Sequence, residues 1–322
     1  MLKLQNKSFK ELIKNSHQKI RGSRHIIYKI NLNNKFYCIR KIDLKKNDIN
    51  YFNRNFSIKN EFFFIKLFYN QKINISKAYI FKNNFIITDF INGSLLSDKI
   101  RNNNLNQNII LYKKLFLLIK KIQNININKF LTLKYKKEYK IKFFEYLFKR
   151  INSKIFKKYF INHKVLRDYI NKNYLNVNFS NFVPVVYDLH AENIIVKDRS
   201  KLYLFDLDYC HFAPPELEFI SIFLDIFARY NYSEFQYLKK LFISQYEKNN
   251  NKFNYELEKL FAINHYVIAI IKHHYKQQNE AKSKIKIYKK ELERLIDKNE
   301  LRYPQITWKV RKLYSTTLSK KK

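Results

Sequence analysis

Cysteine, glycine, proline, methionine and tryptophan are all scarce in this chain of 322 residues, which has only two cysteines, two glycines and four prolines. Cys38 and Cys210 form neither a metal-ligand spacing nor a disulfide framework. So few cysteines fit a reducing setting, and we expect a cytoplasmic protein. The first residues lack the apolar core of a signal peptide, and no apolar run reaches the ~18 residues of a membrane-spanning helix.

Acidic residues are also few. The chain has 26 aspartates and glutamates but 64 lysines and arginines, which gives a net charge of +38. Such a charge is typical of proteins that bind nucleic acid, an anionic membrane face or phosphorylated substrates. The basic residues are spread over the whole chain, however, and AT-biased codons would enrich Lys, Asn, Ile, Phe and Tyr together. We therefore expect no specific nucleic-acid partner and at most peripheral contact with anionic surfaces.

The order of apolar patterns predicts two regions of different character. The first hundred residues predict five strands and one helix, in the order β-β-β-α-β-β, at 18–20, 26–32, 35–42, 57–70, 78–81 and 85–91. From residue 107 onward the pattern is mainly helical, except for a strand-rich stretch at 183–208. We predict an N-lobe of residues 1–92, a C-lobe of residues 93–302 and a basic tail of residues 303–322.

Three polar residues stand around a predicted hairpin in the strand-rich stretch. Asp188 precedes Asn193 by five residues, and Asp206 follows thirteen residues later, after the run Leu202–Phe205. A hairpin with its turn at 197–200 would bring Asn193 and Asp206 to the same end of two paired strands. An amide oxygen and a carboxylate there suit Mg²⁺, which prefers hard oxygen ligands. Asp188 could then receive or orient a hydroxyl group that attacks a γ-phosphoryl group.

These residues resemble a known family. Asp-Leu-His-Ala-Glu-Asn at 188–193 and Leu-Phe-Asp-Leu-Asp at 204–208 are similar to motifs of the aminoglycoside phosphotransferase and choline kinase superfamily. The resemblance implies an α+β, protein-kinase-like, two-lobed fold, with a small β-rich N-lobe and a larger α-helical C-lobe, and implies ATP and Mg²⁺ as cofactors. It makes Asp188 the catalytic base, Asn193 and Asp206 the metal ligands, and His190 and Asp208 accessory residues.

The sequence departs from the family pattern just before the base. Val186 and Tyr187 stand where the family has His-Gly, which puts a bulky side chain beside Asp188. We expect this change to reshape the entry of the acceptor molecule.

The same resemblance implies a nucleotide site in the N-lobe. A cation on the third strand should reach the phosphates, and alternation places Arg40 and Lys41 on opposite faces; the family pattern favours Arg40 over Lys41. A single glycine makes the phosphate-covering loop a weak signal. The predicted nucleotide-binding residues are Arg40, its helix partner Glu61, Gly22 and Ser23 of the loop, and Asp89 and Ile91 of the hinge.

The function that these features predict is transfer of the γ-phosphoryl group of ATP to a hydroxyl of a small molecule, such as a sugar, sugar acid or amino alcohol. The lysine-rich stretch 136–180 disfavours a polycationic acceptor. A choline-like cation stays an alternative, because Glu216, Glu218 and Asp225 could bind it. A protein Ser/Thr kinase is an alternative, although little chain separates Asp206 from the next helix. A kinase-like module that binds RNA or an anionic membrane face without catalysis is a second alternative.

Overall fold

The structure, a computed structural model, describes residues 9–14, 16–21, 25–32, 34–42, 58–82, 85–179, 181–198, 201–248, 251–275 and 279–304. The chain forms two compact units. The first contains Met1–Asn126 and Val183–Phe212, and the second contains Ile127–Phe182 and Ala213–Lys322. The lobe boundaries predicted above stay predictions.

A five-stranded antiparallel sheet opens the first unit, with the strand order β1-β2-β3-β5-β4. The β-β-β-α-β-β order predicted from the sequence is therefore confirmed. The short helix α1 before the first strand was not predicted. The elements are α1 (Phe9–Lys14), β1 (Ser16–Arg21), β2 (His25–Leu32), β3 (Lys35–Ile42), α2 (Ile58–Asn70), β4 (Ala78–Lys82) and β5 (Phe85–Asp89).

Alternating β-branched residues build the core of this sheet. Ile30, Ile39 and Ile87 project to one face and are fully buried there, because successive side chains of a strand point to opposite faces. Leu12 of α1 packs against the same cluster and is also buried. Helix α2 buries Phe64 and the other residues of one face at helical spacing, and this face also includes an acidic residue, Glu61.

A close approach of two backbones links the end of the sheet to the second half of the first unit. A Cβ at Gly93 would lie 2.5 Å from Ile195 Cγ2 and 2.6 Å from the carbonyl oxygen of Val196, so only glycine fits there. The following residues, Ser94 and Leu95, pair with Val196 and Ile195. The elements are β6 (Ser94–Leu95), α3 (Leu96–Asn102), α4 (Leu105–Gln123), β7 (Val183–Val185), β8 (Ile194–Lys197), β9 (Lys201–Leu204) and β10 (His211–Ala213).

The second unit is helical where the structure describes it, as the sequence predicts. The longest buried segment lies in α10 (Tyr255–His274), where Leu260, Phe261 and Ile263 are wholly inaccessible to solvent. No helix among the described residues is both long and apolar enough to span a bilayer. The helices are α5 (Leu133–Ile151), α6 (Lys154–Tyr159), α7 (His163–Tyr174), α8 (Glu216–Phe227), α9 (Tyr232–Glu247), α10 (Tyr255–His274) and α11 (Asn279–Lys298).

The first residues of the predicted tail are packed against the second unit. Tyr303 is buried, and its hydroxyl donates to Glu258 at 2.5 Å, while Tyr266 donates to the carbonyl oxygen of Arg302. The rest of the predicted tail, residues 305–322, lies outside the described residues.

Candidate active site

Strand β3 carries a buried arginine. Arg40 is 7% exposed, and its guanidinium forms an ion pair with Glu61, which is 4% exposed on α2. Of the two cations considered from the sequence, Arg40 is the one whose side chain reaches Glu61. A buried charge requires a charged partner, because an unpaired one would be desolvated at a cost of several kcal/mol, on the order of 5.

Two further carboxylates approach the same guanidinium. Asp206 Oδ1 lies 3.0 Å from one terminal nitrogen of Arg40, and Asp208 pairs with the other. Burial lowers the pKa of Arg40, but the charges of Asp208, Glu61 and Asp206 outweigh burial and raise this pKa well above its ordinary value. Burial raises the pKa of Glu61 above its ordinary value, and Arg40 opposes that rise. Arg40 therefore pairs with three carboxyl groups of the described residues.

The predicted hairpin is present and has the expected register. Strand β8 pairs with β9 so that Ile194 faces Leu204, and the amide of Phe205 donates to the carbonyl oxygen of Asn193 at 3.2 Å. Asn193 and Asp206 consequently lie at the same end of two paired strands. Asp206 has φ 61°, a left-handed conformation that aspartate and asparagine adopt more readily than most residues.

Hydrogen bonds fix the loop that carries Asp188. The side-chain amide of Asn193 donates to the backbone carbonyl of Asp188 at 2.9 Å, which leaves the amide oxygen on the opposite side of this group. His190 accepts the amide hydrogen of Glu192 at Nδ1, and its Nε2 lies 3.7 Å from Asp188 Oδ1. The Asp188 side chain is 46% exposed, so it stands open to an incoming molecule. His190 thus contacts two residues of the loop, and its accessory role in the site stays a prediction.

The position occupied by Tyr187 has a backbone conformation that favours glycine. Tyr187 has φ 60°, and the amide of Asp188 donates to the carbonyl oxygen of Val186 at 2.8 Å, which makes a tight three-residue γ-turn. A bulky residue in such a conformation costs roughly 1–2 kcal/mol. The Tyr187 ring contacts those of Tyr209 at 6.2 Å and His211 at 6.0 Å, and an aromatic pair contributes about 0.5–1.5 kcal/mol. The contacts therefore offset the strained turn.

Helix α2 makes a second contact with the segment that follows Asp206. The side-chain amide of Asn60 donates to the carbonyl oxygen of Cys210 at 2.9 Å, and Phe64 packs against Phe212. Asn60 precedes Glu61 directly, so one turn of α2 reaches both Arg40 and the Asp206 segment. Sequence reasoning missed Asn60, because a single asparagine in a helix carries no local signal for such a contact.

The predicted hinge residues lie at and just after the end of β5. The Asp89 carboxylate binds Lys35 at 2.6 Å and accepts a hydrogen bond from the Tyr79 hydroxyl at 2.8 Å, and these contacts raise the pKa of Lys35. The Asp89 side chain is thus engaged within the sheet, and any nucleotide contact there would use backbone groups. Ile91 follows β5 and is partly exposed. Gly22 and Ser23 of the predicted phosphate loop lie outside the described residues.

The site offers oxygen donors, and no cluster of softer ligands, among the described residues. Among the described residues, no three His, Cys, Asp or Glu side chains converge into a complete metal-ligand set. Asn193 and Asp206 supply two oxygen donors at one end of the hairpin. Two protein ligands fit Mg²⁺, which usually keeps several waters and phosphate oxygens in its coordination sphere.

The second unit holds the carboxylates that the sequence offered for a cationic acceptor. Glu216 accepts the amide hydrogen of Asn254 at 3.0 Å, and burial raises the pKa of Glu216 to about 7. Asp225 pairs with Arg229 at 2.8 Å, and Glu218 is 1% exposed. Each of these side chains is therefore either buried or neutralised by a cation.

No protein-family model and no curated protein matches the chain. Solved structures do match. An ethanolamine kinase of Plasmodium vivax is 17% identical, with a TM-score of 0.56 over 87% of this chain and 83% of that one. A choline kinase of Streptococcus pneumoniae is 14% identical, with a TM-score of 0.57 over 86% and 92%. An ADP-bound aminoglycoside phosphotransferase is 14% identical, with a TM-score of 0.58 over 90% and 96%. The chain therefore shares the two-lobed, α+β, protein-kinase-like fold of these enzymes.

Proposed function

We propose that this chain is a kinase that transfers the γ-phosphoryl group of ATP, with Mg²⁺, to a hydroxyl of a small molecule. The observation that carries the proposal is the convergence of Arg40 and Glu61 with the hairpin end that bears Asn193 and Asp206. The likeness to ethanolamine, choline and aminoglycoside kinases supports this class of reaction.

Each residue has a distinct task in this proposal. Arg40 binds the phosphates of ATP, and Glu61 holds the guanidinium in place. Asn193 and Asp206 would hold Mg²⁺, which neutralises charge on the phosphates when it is bound. Asp188 orients the acceptor hydroxyl and takes its proton as the oxygen attacks the γ-phosphorus. The bond from the γ-phosphorus to the bridging oxygen of the β-phosphate breaks, and ADP leaves. Phosphoryl transfer depends mainly on such positioning and charge neutralisation.

The acceptor class follows from charge. Glu138 in the lysine-rich helix α5 has Lys134 and Lys142 within ion-pair distance at 3.9 Å and 3.6 Å, and the carboxylates of α8 are buried or paired. A polycationic acceptor would need uncompensated negative charge, so we favour a neutral or anionic acceptor such as a sugar or sugar acid. A singly charged amino alcohol needs fewer carboxylates and stays in the set to be tested.

The test is a screen of hydroxyl compounds with radiolabelled ATP and Mg²⁺. We expect Asp206→Ala to abolish transfer and Asp188→Asn to lower kcat by about a hundredfold or more. Asp198→Asn is the matched control, since Asp198 lies in the turn of the same hairpin and also has a positive φ of 49°. Activity that needs neither Mg²⁺ nor Asp206 would contradict the proposal.

Two further assays of the wild-type protein distinguish the proposed function from the protein-kinase and binding-module alternatives. Helix α8 begins at Glu216, ten positions after Asp206, which leaves little chain for the peptide-docking segment of a protein kinase. Phosphorylation of a protein but of no small molecule would favour that alternative. Tight, sequence-selective RNA binding at about 0.2 M salt, without ATP turnover, would favour the binding module, because purely electrostatic binding weakens steeply with salt.

A further inference from the structure

The γ-turn at Tyr187 has no explanation in stability alone. The free energy that the strained turn costs and the free energy that the ring contacts contribute are of similar size, so the tyrosine gives little net stabilisation. Glycine would adopt the same φ without strain. An outlier that is neutral for stability and lies beside a candidate base calls for a functional explanation.

The ring contacts show what the tyrosine connects. Tyr187 directly precedes Asp188, while Tyr209 and His211 follow Asp208 on the segment that leaves the hairpin. The His211 ring is itself held, because its Nδ1 lies 2.7 Å from the carbonyl oxygen of Tyr209. The three rings therefore tie the loop of the proposed base to the segment that carries the carboxylates around Arg40.

The other side of the turn is also anchored. Val186 is completely buried, and its carbonyl oxygen accepts the Asp188 amide at 2.8 Å. With Val186 fixed in the core and the Tyr187 ring fixed against Tyr209, neither peptide of the turn can rotate freely. The direction in which Asp188 leaves the turn is thereby set.

We propose that Tyr187 is a positioning residue, whose ring contacts with Tyr209 and His211 hold the γ-turn closed and thereby orient Asp188. The proposal rests on the role of Asp188 proposed above. In this proposal the aromatic ring holds the turn, and the phenol hydroxyl is not needed. The ring thus gives a reason for a bulky residue at a position suited to glycine.

The experiment compares Tyr187→Gly, which removes the ring and relaxes the turn, with Tyr187→Phe, which keeps the ring. Asn34→Gly is the control, because Asn34 also has φ 60° but lies in the turn between β2 and β3. In Tyr187→Gly we expect kcat to fall roughly tenfold to a hundredfold for every acceptor and for water, with the acceptor KM and the Kd of ADP within about twofold of wild type. Tyr187→Phe and Asn34→Gly should retain the wild-type kcat.

A second variant and a second measurement keep the test independent of folding and of activity. Tyr209→Leu leaves the turn residue unchanged and should show the same loss of kcat at constant KM. Hydrogen exchange of the Asp188 amide, followed by mass spectrometry of its peptide, should accelerate roughly tenfold or more in Tyr187→Gly and not in Tyr187→Phe.

The outcomes separate this inference from the proposed function. Unchanged amide exchange in Tyr187→Gly overturns the inference, whether or not the protein has activity. A change in acceptor KM or in acceptor preference at constant kcat would also overturn it, because the ring would then be a contact for the acceptor. A wild-type protein without Asp206-dependent transfer would refute the proposed function. The hydrogen-exchange result would then still decide whether the Tyr187 ring holds the γ-turn closed.

Discussion

Replacement of Arg40 by methionine should destabilise the fold more than any other arginine substitution at a described ion pair. The change removes the cation that pairs with Glu61 and Asp208, whose side chains are 5% and 10% exposed. Removal of one partner of a buried ion pair costs about 3–5 kcal/mol, because the other charge stays buried without compensation. Asp206 adds little to this figure, since its side chain is 34% exposed and water screens its charge.

Urea unfolding followed by far-UV circular dichroism measures this loss. Arg302→Met is the matched control, because Arg302 pairs with Glu300 at 2.9 Å and both side chains are nearly half exposed, at 47% and 43%. Such an exposed pair contributes little to stability, because water screens both charges. The difference between the two variants therefore separates the cost of removing a buried partner from the cost of the substitution itself.

The pH dependence supplies a second test of the same reasoning. Arg40 opposes the rise that burial causes in the pKa of Glu61. Without Arg40, this pKa would lie further above that of the unfolded chain, so the folded variant would bind more protons than the unfolded one. Its stability would then fall as pH rises from the unfolded to the folded pKa of Glu61. We expect the deficit relative to wild type to be smallest near pH 4.5, the ordinary pKa of glutamate, and largest at neutral pH. A deficit equal to that of Arg302→Met, or one that does not change with pH, would refute this account.

Three further predictions concern other parts of the molecule. Gly93→Ala should lower the free energy of unfolding by about 1–3 kcal/mol, because its Cβ would overlap the strand at Val196; a urea midpoint equal to wild type would contradict the close approach. His265 has a pKa lowered by burial to about 4, below its ordinary 6.5. Stability should therefore fall by up to about 3 kcal/mol as pH drops from 6.5 to 4, and His265→Gln should flatten this decline. Glu216 has the opposite effect on the pH dependence of stability, since its raised pKa of about 7 means that stability is lost as pH rises from 4.5 to 7. Glu216→Gln should therefore stabilise the protein near pH 8 by about 1–3 kcal/mol. An unchanged free energy of unfolding would show that the Glu216 carboxyl group is better solvated than its burial indicates.

The features that the sequence predicts correctly are local ones. The hairpin of β8 and β9 follows from two short apolar runs around a polar turn, and it alone brings Asn193 next to the Asp206 segment. The β-β-β-α-β-β order follows from period and spacing in the same way. The pairing of Arg40 with Glu61 needed the family resemblance as well, because alternation places Arg40 and Lys41 on opposite faces without saying which face is buried. The role of Arg40 as the cation that binds phosphate stays a prediction.

The features that the sequence does not predict join distant segments. Arg40 and Asp208 are 168 residues apart, and Asn60 and Cys210 are 150 residues apart, so no local pattern reports these contacts. The sequence does not predict the positive φ of Tyr187 for another reason. A tyrosine normally indicates extended or helical backbone, and only tertiary contacts offset the strain of this conformation. Helix α1 was missed because six residues are too few for a clear helical period.

The choice of arginine on β3 has a consequence for how such a site responds to its medium and to reagents. A guanidinium stays protonated at every pH at which a protein is folded, and the neighbouring carboxylates raise its pKa further. The alkaline limb of a pH–rate profile must then come from another group, and a wide alkaline range is expected on the phosphate side of the reaction. Reagents that identify nucleotide sites by acylating a neutral lysine amine have no amine to attack at Arg40, so a labelling survey based on lysine chemistry would pass this position over.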